Sequence, residues 1–234
     1  MRVIKNNDIY FVVACLILFA PFFFYDPLLE SYKTINQHYS MIMSFVKFAI
    51  LATLGEVLGL RIKTGNYIRK GFGIIPRALV WGFIGLTIQM AFVIFSIGAP
   101  GFLAFLGMDY APTALSSPDL SIHKVFVALV VSITMNIIYA PVMMTFHKIT
   151  DTHIENTGGK ITSFFKPMDV GQIISEINWK VKWNFVFKKT IPLFWIPAHT
   201  ITFLLPSEYR VLFAALLGIM LGVFLAIAAV AGKK

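Results

Sequence analysis

A small set of polar and charged side chains lies inside or at the edges of long apolar stretches of this 234-residue chain. They are Lys47, Glu56, Arg77, Gln89, Asn136, His199 and Arg210. Ionisable groups in such positions are costly, and they usually face the interior of a helical bundle or a water-filled cavity. Ion pairing, interhelical hydrogen bonding and the polar lining of a pore are therefore the chemistry open to them.

Lys47 and Glu56 lie on one predicted helix but cannot pair with each other. At about 100° per residue their spacing places them on opposite faces of that helix. We expect Glu56 to pair with Arg77 at the start of the next helix, and a structural ion pair at the membrane edge is preferred to a transport role. Lys47 either snorkels outward or lines a cavity, and the cavity is preferred because the distance to the membrane surface is long.

Gln89, Asn136 and His199 lie nearer the middle of their apolar stretches. They act either as interhelical hydrogen-bonding groups or as the shared polar lining of a pore. The stretch that contains Asn136 also contains Pro141, and the stretch that contains His199 also contains Pro192 and Pro197. Prolines break helical hydrogen bonds, and such breaks are tolerated where neighbouring helices or water satisfy the freed backbone groups. The three polar side chains and the three prolines together favour a cavity. Arg210 is interpreted as an anchor that binds carbonyl groups of the short loop before it, near Glu208.

Signatures of enzymes are missing from the sequence. It contains no H-E-x-x-H, G-x-S-x-G or P-loop motif, so we predict no catalytic residue and no cofactor. His147 and His153, near Asp151 and Glu155, are interpreted as parts of a solvated loop, and no metal site is predicted. The single cysteine, Cys15, lies in an apolar run and is typical of a small hydrophobic side chain.

The composition explains why these polar groups stand out. Apolar residues make up 58% of the chain, charged residues only 13%, and the mean hydropathy is +0.78. Soluble domains carry about a quarter charged residues, so an ordinary soluble enzyme, a disordered chain and a disulfide scaffold are excluded. The composition predicts an all-α, polytopic transmembrane helical bundle.

Five stretches are long enough to be full membrane spans, since a spanning helix needs about 20 apolar residues. They are Ile9–Tyr25, Tyr39–Leu60, Ile75–Ile97, Ile122–Phe146 and Tyr209–Ala231, and a sixth, Thr190–Leu205, is short and proline-broken. The first is either a signal peptide or a retained helix, and retention is preferred because no small-residue cleavage site follows it. We predict a single transmembrane domain: an extra N-terminal helix and loop (1–38), three central spans (39–146), a loop (147–189) and a C-terminal helical pair (190–234).

The formal net charge of +9 is distributed unevenly along the chain. Basic residues are concentrated before the first span, in the loops after the second and fourth spans, and at the C-terminus. Since cytoplasmic loops carry an excess of Lys and Arg, this alternation predicts six crossings with both termini in the cytoplasm. The same bias accounts for the positive charge without a nucleic-acid partner.

The loop after the fourth span contains an amphipathic segment, 173–189. It is either an interfacial helix on an anionic membrane surface or an early start of the fifth span. The candidate lipid-binding residues of this segment are Lys180, Lys182, Lys188, Lys189, Trp179 and Trp183.

The C-terminal third carries a recognisable pattern. Residues 195–211, WIPAHTITFLLPSEYRV, resemble the signature W-P-x-x-Q-x-x-N-F-x-x-V-P-x-x-Y-R-V, with His199 in place of Gln and Thr202 in place of Asn. That signature belongs to the twenty-two-kilodalton peroxisomal membrane protein family, whose members also occupy the mitochondrial inner membrane. The looser upstream matches are Gly55-Glu56, Arg77 with Gly82, Gly85 to Phe92, and Asn136 with Pro141.

The resemblance extends from about Phe48 to Ala226. The chain resembles a distant, bacterial member of the family. It implies a small helical membrane protein, proposed for this family to form a channel for small solutes or ions. The positions that it carries over are Glu56, Arg77, Gln89, Asn136, His199 and Arg210.

Two functions follow as expectations. The first is a passive channel or pore in a bacterial inner membrane, with membrane lipids and a small solute or ion as partners and a homo-oligomer as an open alternative to a monomer. The second is a membrane scaffold or lipid-interacting protein without transport activity.

Overall fold

The computed structural model describes residues 5–231, and within that range the chain is helical without β-strands. Its α-helices are α1 (Asn6–Phe19), α2 (Pro21–Phe24), α3 (Asp26–His38), α4 (Ser40–Thr64), α5 (Ile74–Phe105), α6 (Ala111–Ala114), α7 (Ile122–Asn156), α8 (Val170–Glu176), α9 (Trp179–Val181), α10 (Ile196–Leu204) and α11 (Ser207–Ala231). A 3-10 helix covers Ile161–Phe165, and a π-helix covers Lys182–Trp195.

Five helical stretches are long and apolar enough to cross a membrane. They are Asn6–Phe24, Ser40–Thr64, Ile74–Phe105, Ile122–Asn156 and Ser207–Phe224. The predicted fold class, an all-α transmembrane bundle with five full spans, is therefore confirmed. Arg2, Lys233 and Lys234, on which the topology prediction partly rests, lie outside the described residues.

The short fifth span has no break at its prolines. The helical path from Trp179 to Leu204 is continuous, and its π-helical part contains Pro192. A proline ring clashes with the carbonyl group four residues earlier, and the wider π-turn removes that conflict. The segment from Trp179 onward is therefore continuous with the predicted short span, and the choice between an interfacial helix and an early start of that span stays a prediction.

The segment before Trp179 forms the separate helix α8. The side chain of Asn178 caps the next helix by accepting a hydrogen bond from the Val181 N–H group at 3.0 Å. Ile173 and Ile177 are buried with Ile149 of α7. These apolar side chains therefore pack on the protein, and the predicted helix over 173–189 is divided between two elements.

Helix α7 is ten residues longer than its predicted span, which ended at Phe146. No glycine or proline occurs between Phe146 and Gly158, and the φ values of +89° at Gly158 and +70° at Gly159 are readily adopted only by glycine. His147, Asp151 and Glu155 therefore lie on a regular helix. Their assignment to a solvated loop is wrong.

Helix α4 lies at the centre of the bundle, between α5 and α11. Glycines allow this close packing: a Cβ atom added to Gly85 would lie 2.5 Å from the backbone oxygen of Ser44. On the other side of α4, a Cβ atom on Gly55 would lie 3.1 Å from the Cα atom of Ile219. Small residues at helix interfaces are typical of membrane bundles, because they let backbones approach closely.

Helix α1 lies at the periphery and buries none of its residues. Its start is attached to the end of α4, where Arg61 donates hydrogen bonds of 2.7 and 2.6 Å to the two carboxylate oxygens of Asp8. The Tyr67 hydroxyl donates a further bond to Asp8 at 2.7 Å, and burial together with that bond raises the pKa of Tyr67. These contacts attach the start of α1 to the basic end of α4 and to the loop that follows it.

Candidate functional site

A cavity of about 550 Å³ lies between α4, α5, α7, α10 and α11. It reaches from the end of the bundle where α4 ends and α5 begins, which we call the basic face, towards the centre. Its ionisable and amide side chains are those of Glu56, Lys63, Arg69, Arg77, Asn136, His147, Asp151, Glu155 and His199. We call this the larger cavity.

Arg77 organises the charged mouth of the larger cavity. Its side chain is only 4% exposed, and its Nη1 group lies 2.6 Å from Glu56 Oε2 and 2.7 Å from Asp151 Oδ1. Its Nη2 group donates to Glu155 at 2.7 Å, and its Nε group donates to the Phe72 carbonyl oxygen at 2.7 Å. The predicted Glu56–Arg77 pair is therefore present. The fork of guanidinium donors connects α4, α5 and α7 as a single lysine amine could not.

His147 completes this charge cluster. Its Nε2 atom lies 3.0 Å from Glu56 Oε1 and 3.5 Å from Asp151 Oδ1, and its ring centroid lies 4.2 Å from that of Trp81. The ligand atoms of Glu56, His147 and Asp151 lie within 4.8 Å of one another, a spacing that a metal ion could bridge. The Arg77 guanidinium, which pairs with both carboxylates, already supplies one positive charge at this position. The arrangement is that of a charge cluster across three helices.

Asn136 and His199 form the deep end of the larger cavity. Asn136 Nδ2 lies 3.1 Å from His199 Nδ1 and also donates to the Ser132 carbonyl oxygen at 2.8 Å. The His199 ring lies beside the rings of Phe92 and Trp195, with centroid distances of 5.9 and 5.1 Å. The pair joins α7 to α10 as an interhelical hydrogen bond and also faces the cavity, and its role as the lining of a pore stays a prediction.

A smaller cavity of about 310 Å³ opens at the face opposite the basic face. Its lining consists of Asn36, Gln37, Ser40, Lys47, Gln89, Ser207, Glu208 and Val211. Lys47 is 6% exposed and donates a hydrogen bond to Asn36 Oδ1, with its ammonium group 5.5 Å from the Tyr32 ring centroid. Lys47 therefore points into a cavity and does not snorkel.

The two cavities approach each other at the centre of the bundle. On α4, Lys47 lines the smaller cavity and Phe48 lines the larger one. On α5, Gln89 lines the smaller cavity and Ile88 lines the larger one. Phe48, Ile88 and Phe92 are 4%, 7% and 5% exposed. We call these three buried side chains, which line the larger cavity beside residues whose neighbours in sequence line the smaller one, the apolar barrier.

The predicted polar residues do not form one continuous lining. Glu56, Arg77, Asn136 and His199 line the larger cavity, whereas Lys47 and Gln89 line the smaller one. Arg210 lines neither of these two cavities. It donates to the carbonyl oxygens of Leu205 and Phe203 at 3.0 and 3.2 Å, which is the anchoring role expected of it.

One of the candidate lipid-binding residues does not face the lipid. Lys182 is 8% exposed, and its ammonium group donates to the Met144 carbonyl oxygen of α7 at 3.0 Å. Its position on the inner side of the π-helix corrects the prediction. The remaining candidates, Lys180, Lys188, Lys189, Trp179 and Trp183, are exposed.

Sequence reasoning missed three of the five residues of the charge cluster. His147, Asp151 and Glu155 are spaced four residues apart, which places them on one face of a helix. That spacing is a signal that could have been found, but ending the fourth span at Phe146 concealed it.

Comparison of the chain with protein-family models, curated proteins and solved structures finds no match. The resemblance to the twenty-two-kilodalton peroxisomal membrane protein family therefore stays a prediction. Site geometry must carry the functional inference.

Proposed function

We propose that this integral membrane protein is a passive channel for small solutes or ions and that the structure is its closed conformation. The proposal rests chiefly on the two cavities, which open on opposite faces and are lined by consecutive residues of α4 and of α5. Apolar constrictions are known to gate channels by excluding water. Phe48, Ile88 and Phe92 would act as such a gate.

The charge cluster supports the same proposal from the basic face. Glu56, Asp151 and Glu155 face a single Arg77 at the mouth of the larger cavity. Rings of charged side chains at a pore entrance select ions by the sign of the ion's charge and raise the local concentration of ions of the opposite sign. Nothing in this arrangement requires a nucleotide or a hydrolytic step, and we propose no enzymatic activity.

We further propose that the basic face lies in the cytoplasm. Arg61, Lys63, Arg69 and Lys70 occur there, as the excess of positive charge in cytoplasmic loops would require. A bacterial inner membrane with both termini in the cytoplasm fits this orientation. Membership of the twenty-two-kilodalton peroxisomal membrane protein family is proposed on the motif around Trp195 alone.

The direct test is voltage-clamp recording of the purified protein in a planar bilayer. We expect discrete conductance steps in symmetrical salt, with folding confirmed by circular dichroism. Changing Lys47, Glu56 or Gln89 to Leu should change the conductance or the ion preference, whereas Asn184→Leu, on an exposed helix surface, should not. Absence of conductance over a wide range of ions and voltages would overturn the proposal.

A second candidate function, a lipid-interacting scaffold, is favoured by a different surface. Lys180, Lys188 and Lys189 are exposed beside Trp179 and Trp183, and Lys188 lies 6.0 Å from the Trp183 ring centroid. Lysines next to interfacial tryptophans are typical of segments that contact anionic lipid headgroups. Retention of anionic lipid with no conductance would favour this function over a channel.

A further inference from the structure

We propose that the smaller cavity is an oxyanion-binding site, in which Lys47 supplies the positive charge for a phosphate or carboxylate group. The inference deepens the proposed channel, on which its consequence for ion selectivity rests. Binding itself requires no conduction and is measured separately.

The burial of Lys47 is the first observation that carries the proposal. Its side chain is 6% exposed, and among residues 5–231 no carboxylate oxygen lies within 4.0 Å of its ammonium group. Burying a charge costs several kcal/mol unless it is paired and hydrogen-bonded. A bound anion would provide the missing counter-charge.

Asn36 fixes the direction of the Lys47 ammonium group. The Asn36 side chain is 5% exposed and donates from Nδ2 to the Glu208 carbonyl oxygen at 3.1 Å. Its Oδ1 atom therefore accepts from Lys47. An ammonium group has three N–H donors, and the two that remain are available to a molecule in the cavity.

Further hydrogen-bond donors surround the same cavity. Gln89 lines this cavity, and its amide NH2 group is a donor that an oxyanion could accept from, since the single Ser44 hydroxyl hydrogen is donated to the Ser40 carbonyl oxygen at 2.7 Å. Ser207 and Glu208 form the first turn of the 25-residue helix α11. The free N–H groups and the dipole of a helix N-terminus favour an anion.

Glu208 is the one acidic side chain in the lining of this cavity. Arg210, two residues further along α11, interacts with it electrostatically and offsets part of its charge. We therefore expect Glu208 to weaken anion binding without preventing it. Removing this negative charge should increase the affinity.

The experiment uses the full-length protein in phosphatidylcholine nanodiscs, with inorganic phosphate as the probe and sodium chloride at equal ionic strength as the reference. We expect phosphate to raise the unfolding temperature and to give a saturable calorimetric titration. Lys47→Met should reduce the affinity by at least about tenfold, whereas Lys33→Met, on the exposed part of α3, should not. Glu208→Gln should increase the affinity several-fold.

A second arm separates free anions from lipid headgroups. Nanodiscs containing phosphatidylglycerol should raise the unfolding temperature in a Lys47-dependent manner if the bound phosphate belongs to a lipid. If Lys47→Met abolishes the response in either arm, the result supports the site. The arm in which the response occurs then shows whether the anion is free phosphate or a lipid headgroup. Because Lys47→Met removes a buried charge, we expect this variant to fold. Gln89→Met leaves that charge in place, and we expect it also to reduce the affinity for phosphate.

Absence of a response in both arms, or equal responses from wild type and Lys47→Met, would overturn the inference. Either result combined with normal conductance would leave the proposed channel standing. Phosphate binding without any conductance would overturn the channel and leave the binding site.

Discussion

Lys47 and Phe48 are consecutive residues of α4, yet their side chains line two different cavities. Lys47 faces the smaller cavity, and Phe48 faces the larger one as part of the apolar barrier. Adjacent residues of a helix point about 100° apart, so consecutive side chains of α4 can line different cavities. On the proposed function, a small movement of α4 or α5 would join them.

The close approach of α4 and α5 yields a prediction about stability. Gly85→Ala should destabilise the protein by about 2 kcal/mol, because the added Cβ atom would lie 2.5 Å from the Ser44 backbone oxygen and would separate the helices. Gly98→Ala is the control on the same helix, since no atom lies within 4 Å of its Cβ position. Reversible unfolding in mixed micelles measures both variants. Equal stability of the two would contradict the described packing.

The sequence predicts the membrane spans well because membrane helices are long, apolar and bounded by charge. It also predicts the Glu56–Arg77 pair, since two opposite charges near the same membrane face must neutralise each other. The sequence does not predict that Lys47 and Gln89 line one cavity and that Asn136 and His199 line another. Which cavity a side chain faces depends on the rotation of its helix about the helix axis. That rotation is determined by tertiary contacts such as Gly85 against Ser44.

The extent of α7 was missed for a different physical reason. Hydropathy detects where a helix leaves the hydrocarbon core, whereas helix formation continues until a breaking residue is reached. His147 and Asp151 lie in that difference, after the predicted end of the span at Phe146 and before Gly158. Lys182 was misassigned because its charge suggested exposure, although its long side chain reaches the Met144 carbonyl oxygen of α7.

Arg77 should be the most sensitive residue of the charge cluster. Arg77→Met would leave Glu56, Asp151 and Glu155 without their shared cation, and we expect a loss of about 3–5 kcal/mol in the free energy of unfolding. Arg69→Met removes a half-exposed partner of Glu155 alone and should cost less than about 1 kcal/mol. Thermal unfolding in detergent compares the two. Similar losses would refute the central position of Arg77.

The exposed lysines give a prediction about lipids. Changing Lys180, Lys188 and Lys189 to Gln should reduce retention of phosphatidylglycerol, by about 1 kcal/mol per lysine near the lipid headgroups. Lys182→Gln should leave retention unchanged, because its ammonium group is bound to the Met144 carbonyl oxygen. Native mass spectrometry of the detergent-solubilised protein counts the bound lipids. A larger effect from Lys182 than from the other three would contradict the assignment.

The apolar barrier is the central claim, and Phe92 tests it most directly. Phe92→Ala should raise the single-channel open probability or conductance in planar bilayers by at least about tenfold, equivalent to lowering the barrier by about 1.4 kcal/mol. Phe102→Ala removes an aromatic ring of the same helix that is 58% exposed, and it should behave as the wild type. Unchanged conductance for folded Phe92→Ala, or an equal increase for Phe102→Ala, would contradict a path between the two cavities.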